Sequence, residues 1–176
     1  MEKTIIIAIV GASGSGKTTL GRYISEKCGY NWISSYTTRP MREGEVNGVD
    51  HTFVSEDEMP GKEKMIAYTN FGGYHYWTTF DQFVKDKPNI YIIDEDGLVE
   101  MERLIRTGKF GEYDILRVYV ERENIDVDID RMKRDDDRNE LPPFYYDLII
   151  SNIGSLDDFL DEGCDLIKEQ VNKIKA

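Results

Sequence analysis

A glycine-rich segment near the start of the chain has the residue types and spacing that hold a phosphate group. Gly11, Gly16, Lys17 and Thr18 match the pattern G-x-x-x-x-G-K-[ST]. Small residues let successive backbone N–H groups face one anion, while the lysine reaches terminal phosphates and the hydroxyl suits Mg²⁺. The segment is therefore predicted to bind ATP through Gly11, Ala12, Ser13, Gly14, Ser15, Gly16, Lys17, Thr18 and Thr19.

Two arginines further along the chain have a spacing that suits a second anion. Arg39 and Arg42 flank a turn that contains Pro40. Two guanidinium groups that converge on one phosphate give forked, charge-assisted hydrogen bonds that lysines do not reproduce. The alternative for this pair is a basic turn that faces solvent.

Carboxylates follow the aliphatic run at residues 90–93. Because an α/β sheet presents ligand-binding residues at its strand ends, we expect Asp94 or Asp96 to lie near Mg²⁺ or near the acceptor of a phosphoryl group. Spacing alone does not decide which of the two carboxylates lies near Mg²⁺ and which lies near the acceptor. Glu95 is expected on the opposite face if the strand continues.

Four aliphatic runs of strand length supply the frame for these residues: 5–10, 90–93, 115–120 and 148–150. Continuous apolar runs are typical of parallel strands buried on both faces, and the segments between them have helical patterns, the clearest beginning at Ser155. Residues 65–71 and 74–78 instead predict a hairpin. The sequence therefore predicts an α/β fold, a three-layer core with a parallel sheet and a small antiparallel insert.

Composition limits the classes of partner. The 176 residues suit one domain, and a net charge of -12 argues against a nucleic-acid polymer or an anionic membrane as partner. Cys28 and Cys164 are too few for a disulfide framework or a cysteine zinc site. No apolar run approaches the ~20 residues that span a bilayer, so a cytoplasmic protein is expected. The oligomeric state is left open.

Three further segments resemble the guanylate kinase family when taken with the phosphate-binding loop. They are S-Y-T-T-R-P-M-R-E-G-E-V-N-G-V-D-H-T-F-V-S at 35–55, F-G-G-Y-H-Y at 71–76 and I-I-D-E-D-G at 92–97. The resemblance implies a P-loop NTPase core (1–33 and 84–176), an acceptor-binding insert (34–83) and a short lid (about 131–144). It also implies phosphoryl transfer from ATP to a nucleoside monophosphate, with GMP as the favoured acceptor, and with Mg²⁺.

The resemblance also assigns residues to the acceptor and to the reaction. The acceptor phosphate would be held by Arg39, Arg42 and Tyr76, with the hydroxyls of Ser35 and Thr78 near the base. Asp96 matches an acceptor-side carboxylate and Asp94 a magnesium-side one. The lid would contribute arginines among Arg131, Arg134 and Arg138, so the catalytic set is expected to be Lys17, Arg39, Arg131, Arg138 and Asp96.

Several positions depart from the family pattern. Ala67 stands where the family has a glutamate that reads guanine, and Thr69, two residues on, is a partial substitute. His51 replaces a tyrosine and remains able to donate to the acceptor phosphate. Trp77 replaces a glycine and is expected to crowd or stack on the base, and the lid is short.

Three functions follow from this pattern. The first is a GMP kinase with a reshaped pocket, and the second is a kinase for a different small phosphorylated acceptor. The third is an inactive interaction module built on the same fold. The complete triphosphate loop argues against the third, because a binding module has no physical need for it.

Overall fold

The aliphatic run at the start of the chain forms the central strand of a parallel sheet. The computed structural model describes residues 3–123 and 129–176, without the side chains of Asp130, Arg131 and Arg134. The strands are β1 (Thr4–Val10), β2 (Asn31–Trp32), β7 (Asn89–Ile92), β8 (Tyr113–Glu121) and β9 (Leu148–Ser151). Their order in the sheet is β2-β7-β1-β8-β9, and every neighbouring pair is parallel. The predicted α/β fold and parallel sheet are confirmed.

Helices cover both faces of this sheet because both faces of its strands are apolar. They are α1 (Lys17–Cys28), α2 (Glu95–Arg106) and α4 (Leu156–Lys175). A further helix, α3 (Ile129–Asp136), contributes none of its described residues to the core. Alternate β1 residues point to opposite faces: Ile7 and Ile9 pack with α1 and α4, whereas Ile6 and Ala8 pack with α2. The carboxyl ends of β1, β7, β8 and β9 therefore lie at one edge of the sheet, beside the phosphate-binding loop.

A second, smaller sheet packs beside α2. It has the order β4-β3-β6-β5 and consists of β3 (Tyr36–Thr37), β4 (Thr52–Phe53), β5 (Ile66–Phe71) and β6 (Tyr74–Thr78). The β5–β6 and β3–β6 pairs are antiparallel, whereas β3 and β4 pair in parallel. Gly72 and Gly73 both have positive φ, 60° and 81°, as a tight two-residue hairpin turn requires.

An irregularity in β5 sets the wall of the insert. The pairing of β5 with β6 shifts between Ile66 and Thr69, and Ala67 within the shift has φ 51°, the only described non-glycine residue with positive φ. The ring of Trp77 is 2% exposed and stacks on Tyr36, with the ring centroids 5.5 Å apart. Trp77 therefore packs within the insert. Its expected contact with the base stays a prediction, since the residue also lines a cavity together with Ala67 and Thr69.

Two features bear on the earlier expectations about cysteines and membranes. Cys28 of α1 and Cys164 of α4 are free thiols, and their Sγ atoms lie 3.7 Å apart between the two helices. Of the helices in the described parts of the chain, none combines the length and apolar character needed to cross a bilayer.

Candidate active site

The phosphate-binding loop connects β1 to α1 and is held by close contacts with the sheet. A side chain on Gly11 would lie 2.3 Å from the carbonyl oxygen of Val120, so only glycine fits there. Gly16 has φ 106°, and a side chain on it would lie 2.7 Å from Asn152 Nδ2. That amide donates to the Ser15 carbonyl at 2.8 Å. The glycines of the motif therefore let β8 and β9 support the loop from behind.

The helix that follows the loop begins where the motif predicts. α1 starts at Lys17, with Gly16 at its N-cap, so its first N–H groups face the loop. Lys17 Nζ donates to the Ala12 carbonyl at 2.6 Å, which curls the lysine over the loop. Thr18 and Thr19 are exposed at the first turn. The loop thus has the geometry of an anion cradle.

One cavity of about 880 Å³ joins this loop to the paired arginines. Its lining includes Ser13, Lys17 and Thr18 on the loop side and Arg39 and Arg42 on the insert side. Phosphate-binding groups separated by more than 20 residues in sequence therefore face the same space. A donor and an acceptor phosphate can be held together there.

Arg39 and Arg42 are linked through one carboxylate. Arg39 is 8% exposed, and its Nη1 and Nη2 donate to Glu45 at 3.0 and 2.7 Å. The backbone N–H of Arg42 donates to the same carboxylate at 2.7 Å. The hydrogen bond from Arg39 lowers the pKa of Glu45 to about 2 and raises the pKa of Arg39. Glu45 therefore stays ionised and fixes the turn that carries both arginines.

His51 and Tyr76 form the next part of the acceptor side. His51 Nδ1 and Ser35 Oγ lie 2.9 Å apart, and the His51 ring meets the Tyr76 ring edge-on at 5.8 Å between centroids. Burial and the nearby charge of Arg39 lower the pKa of His51, so the ring is neutral at pH 7. The structure thus brings Ser35, His51 and Tyr76 together with the arginine pair.

A second cavity of about 490 Å³ opens beside the insert and shares Lys17, His51 and Tyr76 with the first. Ala67 and Thr69 line it, as do Asp94 and Asp96. Thr78 is fully buried and is not among the residues that line either cavity. The geometry therefore gathers the predicted acceptor residues except Thr78.

The carboxylates after β7 differ from the sequence-based expectation. β7 ends at Ile92 and α2 begins at Glu95, because Asp94 caps the helix by accepting from the Gly97 N–H at 2.7 Å. Glu95 is therefore a helical residue, 2% exposed, rather than a strand residue on the opposite face. Asp94 and Asp96 are exposed toward the second cavity.

Residues of α3 and of the segment that follows it contact the core at three places. Asp135 accepts from the Ser13 N–H at 3.0 Å, Arg138 pairs with Glu95, and the Asn139 amide donates to Asp96 at 2.9 Å. The side chains of Arg131 and Arg134, the other predicted lid arginines, lie outside the described residues. Sequence reasoning missed Glu45, Glu95, Asp135 and Asn139, since no local pattern marks any of them as a partner.

Residues on the far side of the loop were also missed. Arg122 follows β8, while Asn152 and Leu156 follow β9, and all three line the first cavity. Arg122 Nη1 reaches the Gly14 carbonyl at 3.4 Å. Their position at the carboxyl ends of parallel strands was the available signal.

The donor atoms at the site fit Mg²⁺. Thr18 offers an exposed hydroxyl at the loop, and Asp94 offers an exposed carboxylate in the adjoining cavity. In the part of the chain that the structure describes, no three His, Cys, Asp or Glu side chains form a metal cluster. Mg²⁺ in phosphoryl-transfer sites needs none, because one or two protein oxygens, water and substrate phosphates complete its shell.

Comparison with known proteins agrees with this geometry. The family model described as guanylate kinase matches residues 1–141. The chain belongs to the guanylate kinase family. The guanylate kinase of Bacillus subtilis (strain 168) is 32% identical over 118 residues, which cover 62% of this chain and 58% of that relative. The chain thus matches little more than half the length of that guanylate kinase.

A solved structure extends the agreement to the whole fold. The crystal structure of guanylate kinase from Anaplasma phagocytophilum superposes with a TM-score of 0.63 at 17% identity. The match covers 98% of this chain and 87% of that guanylate kinase. The guanylate kinase fold therefore extends beyond residue 141 to α4.

Proposed function

We propose that this protein transfers the terminal phosphoryl group of ATP to a nucleoside monophosphate, with GMP as the best-supported acceptor. One observation carries the proposal: the phosphate-binding loop and the arginine pair line the same cavity. Membership of the guanylate kinase family supports it independently. Reaction between two anions requires that they be held close and in line while their charge is neutralised, and cationic groups on both sides of one cavity are suited to this task.

On the donor side, the loop N–H groups and Lys17 would hold the phosphates of ATP. α1 contributes the positive end of its dipole at the same point. Arg122 and Leu156 would border the donor nucleoside, because they line the cavity on the far side of the loop. No protein nucleophile is needed, since positioning and electrostatic stabilisation supply the acceleration.

Thr18 and Asp94 are the residues proposed to hold Mg²⁺ with the donor phosphates. When bound, the ion would neutralise charge on the phosphate oxygens and orient them. Asp94 also caps α2, so its carboxylate is held in a fixed position at the cavity wall. Asp96, one residue into the helix, is proposed for the acceptor side.

On the acceptor side, Arg42 and Arg39 would bind the monophosphate and Tyr76 would donate to it. Ser35 and His51 adjoin this position, and Thr69 adjoins the place of the base. Residues 34–83 are proposed as the acceptor-binding insert of a single domain, and residues of about 131–144 as its lid. Arg131 is proposed to act from that lid.

A different small phosphorylated acceptor is the second candidate, and Ala67 supports it. Its side chain is a methyl group at the wall of the second cavity, where the family has a carboxylate for guanine. Leaving guanine donors unpaired costs about 1–3 kcal/mol, enough to remove a preference for guanine. The arginine pair would serve any such acceptor, because it binds the phosphate and not the base.

An assay of ADP release tests the proposal directly. Purified protein is incubated with ATP, Mg²⁺ and each of GMP, dGMP, AMP, CMP, UMP and dTMP, and ADP is measured by a coupled enzyme. We expect GMP-dependent ADP release, and Lys17→Ala should abolish it while its circular dichroism and melting temperature stay unchanged. Another monophosphate as best substrate would favour the second candidate.

Binding measurements separate the remaining outcomes. If none of these monophosphates is turned over but ATP binds, phosphorylated sugars are the next class of small phosphorylated acceptor to test. If folded protein shows no Mg²⁺-dependent ATP binding by calorimetry, the kinase proposal fails and the interaction module takes its place. An active, folded Lys17→Ala variant would contradict the role of the lysine.

A further inference from the structure

Helix α2 carries two buried glutamates on the face that it turns to the core. Glu95 and Glu102 are 2% and 5% exposed. They are seven residues apart, which places them on the same side of the helix about 10 Å apart. Each is paired with an arginine, Glu95 with Arg138 and Glu102 with Arg117. Helix α2 therefore takes part in two separate buried ion pairs.

The two pairs differ in where they lie. Arg117 belongs to β8, and its pair with Glu102 is joined by the Tyr145 hydroxyl. That cluster lines neither of the two cavities of the site. Glu95 and Arg138 both line the second cavity, together with Lys17 and Tyr76. The first pair therefore joins core elements, and the second lies where phosphoryl transfer is proposed.

The geometry of the second pair leaves Arg138 Nη1 outside the contact with Glu95. Arg138 Nη2 donates a hydrogen bond to Glu95 Oε1, and Arg138 Nε donates to Glu95 Oε2 at 3.3 Å. Arg138 Nη1 has Glu140 at 3.8 Å, a distance too long for a hydrogen bond, and Glu140 is 69% exposed. The guanidinium group of Arg138 is planar and rigid. Because Nε and Nη2 are both bound to Glu95, the direction in which Nη1 points is fixed.

Other carboxylates in the second cavity could pair with Arg138 in place of Glu95. Asp94, Asp96 and Asp137 are exposed and line the same cavity. Without a fixed partner, the long side chain of Arg138 would form ion pairs with each of these carboxylates in turn. Glu95 holds it because attraction between charges is stronger in the buried, less polar environment. Hydrogen bonds with Glu95 and Tyr119 outweigh burial and raise the pKa of Arg138.

We propose that Glu95 is a positioning residue for the reaction, which holds Arg138 at the cavity wall so that Nη1 donates to a phosphoryl oxygen. The proposal rests on the proposed kinase function. Glu95 itself touches no substrate. Its removal should reduce the rate of the chemical step rather than substrate binding, because Lys17 and the arginine pair remain in place.

Steady-state kinetics of the full chain test this, with Glu95→Gln compared with Glu102→Gln. Both variants break a buried ion pair on α2, and both should lower the melting temperature. Assayed well below both melting temperatures, Glu95→Gln should lower kcat about 10- to 100-fold with KM for ATP within about threefold, the effect of misplacing one catalytic group. Glu102→Gln should keep kcat within about twofold of the original chain.

Two further variants test whether the effect passes through Arg138. Glu95→Asp keeps the charge on a shorter side chain and should recover part of kcat. Arg138→Ala and the double variant Glu95→Gln/Arg138→Ala should have equal kcat, since neither can place the guanidinium. Unchanged kcat in Glu95→Gln, or equal losses in Glu95→Gln and Glu102→Gln, would overturn the proposal.

A readout without substrate separates this inference from the proposed function. The Arg138 Nε–H should give a slowly exchanging ¹⁵N-edited NMR signal that is lost in Glu95→Gln and retained in Glu102→Gln. If no acceptor is turned over but the signal behaves in this way, the proposed function fails while the positioning contact stands. A signal that survives in Glu95→Gln overturns the inference, whether or not the enzyme is active.

Discussion

The carboxylate of Asp135, in α3, accepts hydrogen bonds from both the backbone N–H and the hydroxyl of Ser13 in the phosphate-binding loop, at 3.0 and 3.1 Å. A loop built to bind phosphate is thus contacted by an anionic side chain from a residue 122 positions away. The same N–H group cannot serve this carboxylate and a phosphate oxygen at full strength. Asp135 and ATP are therefore expected to compete.

Neutralising Asp135 should strengthen ATP binding. We expect Asp135→Asn to lower the dissociation constant for ATP about three- to tenfold, because the fraction of molecules with a free loop increases. Isothermal titration calorimetry with and without Mg²⁺ measures this. Asp136→Asn is the matched control, since it removes the same charge from an exposed neighbouring residue. An equal gain in both variants would mean that general electrostatics, and not the Ser13 contact, is responsible.

Arg42→Ala should raise KM for the acceptor far more than KM for ATP. The side chain is exposed to the cavity on the insert side, and a charged hydrogen bond to phosphate contributes about 1.5–3 kcal/mol. The expected increase in acceptor KM is about 10- to 100-fold. Arg42→Lys should recover part of the lost acceptor binding, since lysine restores the positive charge but not the two parallel hydrogen bonds of a guanidinium group. If KM for ATP rises as much as KM for the acceptor, Arg42 does not belong to the acceptor site.

Ala67→Glu should increase the preference for GMP over AMP. A carboxylate at this wall of the second cavity can accept from guanine, so the ratio of kcat/KM values should rise about five- to 100-fold. The substitution should also lower stability, because φ at position 67 is 51° and longer side chains tolerate that conformation poorly. Ala67→Gln has the same strain without the charge. No change in the GMP/AMP ratio from the original chain to Ala67→Glu would show that position 67 does not read the base.

Protonation of His51 should destabilise the fold as the pH falls below about 6.5. Its pKa is lowered by burial and by the charge of Arg39, so the unfolded chain takes up this proton at a higher pH than the folded chain. In that window the unfolded state binds more protons, and the free energy of unfolding decreases as the pH falls. Glu45 stays ionised in the folded chain, with a pKa of about 2, and it begins to add to this effect only near pH 5, where the unfolded carboxyl starts to take up a proton.

Urea unfolding at intervals between pH 7.5 and 5 measures this effect. His51→Gln should reduce the slope of unfolding free energy against pH, because it removes a group that resists protonation in the folded state. The comparison uses the slope and not the absolute stability, which the substitution changes through the contact with Ser35. A variant with an unaltered slope would assign the pH dependence to other groups.

Local patterns were sufficient for the phosphate-binding loop, for four strands of the parallel sheet and for the β5–β6 hairpin, whereas the two-residue strands β2, β3 and β4 were not predicted. The spacing of Gly11, Gly16 and Lys17 predicted both the cradle and the start of α1, and the hairpin at Gly72–Gly73 was located from its turn residues. Each of these depends on residues close together in the chain. By contrast, the stacking of Trp77 on Tyr36 was not predicted, because two neighbouring strands bring these rings together.

The sequence by itself determined the glycine-rich loop before α1 and which layers form, because a loop motif and apolar periodicity depend on short segments. The tertiary structure decided how the charged residues are paired. Asp94 ends β7 by capping α2, which turns Glu95 into the core toward Arg138, 43 residues away. Asp135 reaches Ser13 across 122 residues. Such pairings depend on burial and distance in the folded chain, and neither quantity is present in the order of residues alone.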